Sequence, residues 1–359
     1  MTDAARAQGA PPVIGFAMGD PAGISPELSA RMLADPDVLK AAGLIVIGDR
    51  RVLEEGARIA GVSHDLRFIT PDAPLPADLS KPVFVDLGSL DPTSIRRGEI
   101  SEAGGRFAAE NFRYALSLAM HGHADAVSFT PFNKAAMRLH VPDYDDEISF
   151  TARFIGFKGV AKEFNVLEGL WNARVTSHVP LSGVARLITR DAILENLRLT
   201  EAALRDSGLA SPRIGVAALN PHAGDNGNFG REEIEIIGPA VEEAKRQGIG
   251  CDGPYPSDTV FVRARRGDFD AVLTMYHDQG QIAMKLIGFE QGVTLLGGFP
   301  FPICTPAHGT AYDIAGKGVA HPGAARNALL LAARMGAAQR RRRPEAAGSL
   351  LDARAAMAA

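Results

Sequence analysis

The chain has 359 residues, which allows two domains of ordinary size or one large α/β unit. Hydrophobic residues make up 46% and charged residues 22% of the chain, which excludes disorder over most of its length. The net charge of −4 predicts no basic surface for nucleic acid or an anionic membrane, and two cysteines are too few for a disulfide framework or a zinc ribbon. The N-terminus has no apolar signal core and no run approaches the ~18 apolar residues of a membrane helix, so we expect a cytoplasmic protein with no membrane partner.

Along the first half of the chain, short apolar runs alternate with one long helical pattern. Residues 1–12 are predicted to be a disordered tail. Apolar runs that end in turn residues predict buried strands at 13–18, 44–47, 83–85 and 124–129, and apolar residues at helical spacing predict a helix over 101–121. Strands that alternate with helices are typical of an α/β fold.

The second half continues the same alternation. Strands are predicted at 173–177, 213–219 and 271–276, and helices at 190–207, 231–247 and 323–338. We expect residues 339–359 to form a basic, Ala-rich tail, in which the arginine run at 340–343 is solvated.

Three of the nine histidines share a context, because His178, His222 and His277 each follow the end of a predicted strand. In an α/β sheet the carboxyl ends of parallel strands gather at one edge, where ligands bind. Three neutral imidazoles there would form an open metal site, with Asp278 beside His277 as an outer partner or catalytic group. The alternative is that each histidine caps a strand end or forms a buried hydrogen bond.

The sequence lacks the common phosphate-binding loops. No GxGxxG follows the first strand, no GxxxxGK[ST] occurs, and the glycines at 224, 227 and 230 are weak evidence for an anion site. The segment 306–318 instead places His, Thr, Asp and Lys among small residues that let a ligand approach the backbone closely. Its alternative interpretation is a loop that leads into a helix capped by Asp313.

Seven ordered motifs identify a family resemblance that covers residues 13–335. They are Gly19-Asp20-Pro21-Ala22-Gly23-Ile24-Ser25-Pro26-Glu27, Asn133-Lys134, Ser177-His178-Val179-Pro180-Leu181, Asn220-Pro221-His222-Ala223-Gly224, Gly253-Pro254 with Ser257-Asp258-Thr259, Tyr276-His277-Asp278-Gln279-Gly280 and His308-Gly309-Thr310-Ala311. Together they resemble the 4-hydroxythreonine-4-phosphate dehydrogenase (PdxA) family of pyridoxine biosynthesis.

The resemblance implies two α/β domains with a central cleft, related to the isocitrate and isopropylmalate dehydrogenases. The cofactor-side domain would comprise residues 13–140 and 300–338, and the metal, substrate and dimerisation domain residues 141–299. It further implies a homodimer whose subunits share a divalent metal (Zn, Mg, Mn or Co) on the three histidines.

The resemblance also assigns roles at other positions. NAD or NADP would lie against a loop formed by His308, Gly309, Thr310, Ala311 and Asp313. Lys285 and Asp258 match positions that face the substrate, and Lys285 is a candidate for acid–base catalysis or for binding a carboxylate.

The chain departs from the family at the substrate pocket. An ungapped alignment places Ile148 and Ser149 where the family has a His-Thr pair, Thr294 where it has asparagine, and Ile303 where it has arginine. Replacing a histidine and an arginine by isoleucine removes two cationic donors for a phosphate or a carboxylate. The departures predict a paralogue that acts on a less phosphate-like and more apolar hydroxy acid.

The functional prediction is therefore a metal- and NAD(P)-dependent dehydrogenase that oxidises a secondary hydroxyl of a small hydroxy acid, with decarboxylation as an open second step. One alternative substrate is a dihydrodiol carboxylate of aromatic degradation. Two other classes stay open: a metal-dependent hydrolase or lyase that uses the same histidines, and a relative that binds without catalysis.

Overall fold

A computed structural model of the chain describes residues 10–341. Most of the two predicted tails lies outside these described residues. The part that is described corrects the C-terminal boundary, because the last helix continues to Arg340, whose Nη1 donates to the carbonyls of Ala10 and Pro11 at 3.1 Å each. No helix within 10–341 has the combined length and apolarity of a membrane span.

The described residues form twelve strands and twelve α-helices. The strands are β1 (Val13–Ala17), β2 (Gly43–Gly48), β3 (Arg67–Ile69), β4 (Val83–Asp86), β5 (Ala126–Phe129), β6 (Lys162–Leu167), β7 (Leu170–Arg174), β8 (Ile214–Ala217), β9 (Cys251–Tyr255), β10 (Ala271–Thr274), β11 (Val293–Gly297) and β12 (Ile303–Pro306). The helices are α1 (Ser25–Met32), α2 (Pro36–Ala41), α3 (Arg50–Ala60), α4 (Glu102–Met120), α5 (Lys134–His140), α6 (Glu147–Ile155), α7 (Leu181–Leu187), α8 (Arg190–Asp206), α9 (Gly238–Arg246), α10 (Ser257–Arg265), α11 (His277–Gly288) and α12 (Gly323–Arg340).

The chain divides into two compact units, and the first contains the residues up to Ala161 and from Phe299 onward. Its six strands are parallel in the order β3-β4-β2-β1-β5-β12. Strands β1, β2 and β5 are buried along their whole length, which explains why their sequences are apolar apart from Ser128.

The second unit, Lys162–Gly298, contains a mixed six-stranded arrangement in the order β11-β6-β7-β10-β8-β9. The strands β7, β10, β8 and β9 run parallel, whereas β6 runs antiparallel to both β7 and β11. The parallel part brings the carboxyl ends of β7, β8 and β10 to one edge, as the strand-end histidines require.

The first boundary between the units differs from the predicted one. The division falls between residues 161 and 162 rather than between 140 and 141, whereas the second division, after Gly298, lies within one residue of the prediction. Helix α6 belongs to the first unit because Phe150 packs on Phe112 of α4, with ring centroids 5.6 Å apart. That contact joins residues far apart in sequence, and no local pattern reveals it.

Candidate functional site

Two of the three predicted histidines lie together at the edge of the second unit. Strands β7 and β10 are parallel neighbours, and beyond them Thr176 bonds the carbonyl of Met275 through both its amide (3.1 Å) and its hydroxyl (2.8 Å). The two segments that follow β7 and β10 leave this junction side by side. The ring centroids of His178 and His277 therefore lie 5.8 Å apart. The strand ends thus bring together two of the three histidines that were predicted to meet.

The surroundings of the pair orient both rings. His178 has a left-handed backbone (φ +47°), a strained conformation for a non-glycine residue that the surrounding structure must hold. His277 is the first residue of α11, and its Nδ1 lies 2.6 Å from a carboxylate oxygen of Asp278. Because a carboxylate only accepts hydrogen bonds, Nδ1 is the donor in this contact, and Nε2 is the ring nitrogen that would be available to a metal ion.

His222 lies in a separate loop with an unusual backbone. His222 and the four residues after it all have positive φ, from 43 to 79°. Glu233 holds the start of this loop: it is buried, and its Oε1 accepts from the amides of Leu219 and Asn220 at 2.8 Å each. The exposed ring of His222 packs at 6.2 Å from that of Phe229.

The three histidines do not form a complete site within one chain. Over residues 10–341 no group of three or more His, Cys, Asp or Glu side chains is placed to hold a metal ion. The donor chemistry of His178 and His277 nevertheless suits a divalent ion, since two imidazole rings lie together there and Asp278 orients one of them.

The other predicted residues of this unit differ in accessibility. Lys285 is exposed on α11, eight residues or ~12 Å of helix beyond His277, and forms no ion pair within the described chain. Asp258 is exposed in the first turn of α10. Thr294 is buried in β11 opposite Asn165 of β6, so it supports the sheet beneath α11.

Three predicted pocket residues lie in the first unit, and the structure corrects the prediction for one of them, Ile303. Ile148 and Ser149 are half-buried in the first turn of α6, where the amide of Ser149 donates to the capping carboxylate of Asp146 at 2.7 Å. Ile303 is fully buried in β12 beside Val127 of β5. It exposes no side-chain surface to a ligand, so its predicted contact with substrate is wrong for this structure.

The segment His308–Asp313, called the cofactor loop below, lies against the start of α1. The amide of Ile24 donates to the carbonyl of Thr310 at 3.0 Å. A Cβ on Gly23 would lie 2.5 Å from that carbonyl oxygen, so the two backbones meet where only glycine fits. Ala311 has a left-handed backbone (φ +43°) and starts a short 3₁₀ turn. The small residues of this segment thus allow close contact between two backbone segments, and the predicted approach of a ligand stays a prediction.

Polar contacts complete this loop. The Tyr312 hydroxyl donates to Asp20 at 2.6 Å, and burial raises the pKa of the Asp20 carboxyl, partly offset by this bond. Burial lowers the pKa of the half-buried His308 ring, which is therefore neutral at neutral pH. Asp313 is exposed within the 3₁₀ turn and caps no helix, which removes the alternative interpretation of this segment.

Sequence reasoning missed two residues that support the histidines. Arg174 is buried at the end of β7, and a charge inside an apolar strand was the signal that could have identified it. Glu233 follows the glycine-rich loop; its carboxylate binds the chain entering that loop, rather than marking an anion site.

Comparisons with known proteins are consistent across nearly the whole chain. The family model described as pyridoxal phosphate biosynthetic protein PdxA matches residues 40–332. The chain is 62% identical to "Putative 4-hydroxythreonine-4-phosphate dehydrogenase 2" of Rhizobium meliloti over 90% of this chain and 93% of the relative. It is 37% identical to "Putative D-threonate 4-phosphate dehydrogenase" of Symbiobacterium thermophilum, over 92% and 99% of the two chains.

Solved structures give the same fold. A 4-hydroxythreonine-4-phosphate dehydrogenase from Burkholderia phymatum superposes with a TM-score of 0.76 at 35% identity, covering 91% of this chain and 99% of that one. A terephthalate 1,2-cis-dihydrodiol dehydrogenase from Burkholderia xenovorans superposes at 0.62 with 27% identity, covering 90% and 98%. The predicted α/β fold is confirmed, and its isocitrate dehydrogenase-like character is consistent with these neighbours.

Proposed function

The chain belongs to the PdxA family, and from this we propose that it is a divalent-metal- and NAD(P)-dependent dehydrogenase acting on the secondary hydroxyl of a 4-phosphorylated hydroxy acid. The observation that carries the proposal is the pair His178 and His277 at adjacent strand ends, with Asp278 on one ring. The names of the relatives support the dehydrogenase class and a phosphorylated substrate.

We assign the metal to His178 and His277 of one subunit and His222 of a second copy. This sharing accounts for a ligand set that is incomplete within the described part of one chain. It requires a homodimer, and the second unit exposes large apolar side chains suited to self-association: Val262 (48% exposed), Ile282 (62%), Leu286 (83%) and Phe289 (56%).

When bound, the metal ion would lower the pKa of the substrate hydroxyl and the nicotinamide would accept hydride from the same carbon. Lys285 offers an ammonium, without an ion pair in the described chain, to the carboxylate or phosphate of the substrate. Asp258 is a candidate to receive the hydroxyl proton as the alcohol becomes a ketone, and Lys285 is the other candidate, in its neutral amine form instead of the ammonium. Asp278 holds the ring of His277 in the tautomer that leaves Nε2 available.

The cofactor loop is assigned to NAD or NADP. Its small residues leave the backbone accessible, and Gly309 has no atom of another residue within 4 Å of the position of an added Cβ. The neutral, half-buried ring of His308 offers a flat apolar surface beside it. These features suit a planar adenosine group that approaches the backbone closely.

A dihydrodiol carboxylate is the second candidate substrate. The half-buried Ile148 supplies an apolar surface where the family has a cationic donor, and the similar Burkholderia xenovorans structure is named a dihydrodiol dehydrogenase. Such a substrate carries a carboxylate for Lys285 but no phosphate.

Nicotinamide reduction by metal-stripped protein tests these assignments. D-threonate 4-phosphate, 4-phosphohydroxythreonine and a cis-dihydrodiol carboxylate are each supplied with NAD⁺ or NADP⁺ and with Zn²⁺, Mg²⁺, Mn²⁺ or Co²⁺. We expect metal-dependent growth of the reduced-nicotinamide absorbance with a phosphorylated substrate, and carbon dioxide measured alongside shows whether decarboxylation follows. Turnover of the dihydrodiol alone would select the second candidate. Product formation without nicotinamide reduction would indicate a hydrolase or lyase, and ligand binding without any product a non-catalytic relative.

A further inference from the structure

The end of strand β7 contains a buried arginine that the proposed chemistry does not use. The side chain of Arg174 is 2% exposed, and three of its nitrogens donate to three different residues. Nε donates to the hydroxyl of Ser177 at 2.7 Å, Nη1 to the side-chain oxygen of Asn165, and Nη2 to the carboxylate of Glu163. Burying a guanidinium is costly unless it is paired in this way, so an apolar side chain would fill the space at lower cost.

The bonds continue from Arg174 into helix α11. The same oxygen of Asn165 that accepts from Arg174 also accepts from the side-chain amide of Gln281. Gln281 is buried and lies four residues after His277, one turn along the same helix face. A continuous set of hydrogen bonds therefore runs from Ser177, the neighbour of His178, to the helix that His277 begins.

We propose that Arg174 is a positioning residue that sets the placement of His178 relative to His277. Its bond to Ser177 restrains the turn in which His178 takes its left-handed backbone, and its bond through Asn165 restrains α11. One rigid group thereby connects the two elements that carry the histidines. The inference deepens the proposed metal site and rests on it.

The geometry explains why this group is an arginine. A guanidinium presents donors in a fixed planar fork, so bonds in three directions also fix the mutual orientation of their acceptors. An ammonium on a flexible stem places its three donors around one atom and cannot span partners on β6 and beyond β7 at once. Lysine at this position would keep the charge and lose the positioning.

The test compares Arg174→Met with Arg213→Met, a matched control in the same unit. Arg213 also pairs with a carboxylate, Asp270, but it lies at the amino end of β8 and is exposed. Calorimetric titration of the metal-stripped protein with Co²⁺ or Zn²⁺ measures affinity, and hydrogen exchange read by mass spectrometry measures the order of residues 176–180 and 277–283. We expect Arg174→Met to weaken metal binding by roughly 10- to 100-fold and to speed exchange in both segments. The control leaves both unchanged, and Arg174→Lys behaves like the methionine variant.

Three results would overturn the inference. Unchanged metal affinity and exchange with only a lower melting temperature would make Arg174 a structural ion pair. Unchanged metal affinity with a raised KM would make it a contact for the acidic group of the substrate. Wild-type metal affinity and hydrogen exchange in Arg174→Lys would show that the positive charge, and not the planar guanidinium, positions the histidines.

Two further measurements keep the test decisive. If wild-type protein binds no divalent ion, the proposed metal site fails, and the exchange comparison decides the positioning role by itself. If Arg174→Met does not fold, Ser177→Ala replaces it as the test, because it removes only the hydrogen bond from Arg174 to the residue before His178. That variant is expected to speed exchange at 176–180 and not at 277–283; unchanged exchange at 176–180 would refute the connection.

Discussion

Replacing Glu233 by glutamine tests how the loop of His222 is held. The buried carboxylate accepts from two backbone amides at 2.8 Å and from the side-chain amide of Asn220 at 3.0 Å. Glutamine retains one neutral carbonyl oxygen for the backbone amides, and its NH₂ group then faces the NH₂ group of Asn220. A hydrogen bond to a charged group contributes ~1.5–3 kcal/mol, and a buried donor without a partner costs ~1–3 kcal/mol. We therefore expect a loss of about 3 kcal/mol in the free energy of unfolding.

Urea unfolding followed by tryptophan fluorescence measures this loss in the relevant unit. The chain has a single tryptophan, Trp171, which is buried in β7 of the second unit. Glu232→Gln is the matched control, because half-buried Glu232 accepts only one bond, from Asn220 at 2.7 Å. The control is expected to lose less than ~1 kcal/mol. Equal losses in the two variants, or a Glu233→Gln protein as stable as wild type, would refute the reasoning.

Three further changes have distinct expected outcomes. Asp278→Asn should leave stability within ~0.5 kcal/mol because the side chain is 73% exposed, but should weaken Zn²⁺ binding to His277 by about tenfold in calorimetry; unchanged affinity would contradict its orienting role. Tyr312→Phe removes a bond that lowers the pKa of Asp20, so that pKa rises further. A raised carboxyl pKa in the folded state gives stability that is complete below the unfolded pKa of ~3.9 and is lost as the pH rises through the folded value. The variant should therefore lose ~1.5–3 kcal/mol at neutral pH and progressively less at acidic pH, and a pH-independent loss in urea unfolding would contradict this. Gly23→Ala forces its Cβ to within 2.5 Å of a backbone oxygen of the cofactor loop, so it should cost ~1–3 kcal/mol and weaken NAD⁺ binding in calorimetry, whereas wild-type affinity would argue against that site.

The histidine pair could be predicted because its signals are local. Strand β10 is a short apolar run, β7 overlaps the predicted strand at residues 173–174, and parallel neighbours end at the same sheet edge. The tautomer of His277 follows from the adjacent Asp278, which the sequence already places beside it. These inferences need no knowledge of distant contacts.

Five strands escaped prediction for identifiable reasons. Strand β6 alternates apolar residues with Glu163 and Asn165, and the short apolar segment of β11 is interrupted by Thr294. The remaining three are short or contain proline: β3 has three residues, and β9 and β12 include Pro254 and Pro306. Tertiary packing rather than local pattern determines these elements.

The sequence failed to predict that the metal site is incomplete within one chain for a different reason. The sequence gives three equivalent strand-end histidines, but it cannot show which of them meet within one chain. His222 projects from a loop whose backbone has six consecutive positive φ values, a conformation that no propensity predicts. The burial of Ile303 was likewise hidden, because an alignment position carries no information on side-chain exposure.

The dependence of nicotinamide reduction on an added divalent ion tests the central assignment most directly. Metal-stripped wild-type protein is titrated with Zn²⁺, Mg²⁺, Mn²⁺ or Co²⁺ in the presence of NAD⁺ and D-threonate 4-phosphate, beside His277→Asn and the control His64→Asn in the first unit. We predict that one of these ions restores turnover in wild type and in the control, and that the same concentrations leave His277→Asn inactive. Full turnover by stripped wild-type protein, or restoration of His277→Asn at wild-type ion concentrations, would contradict it.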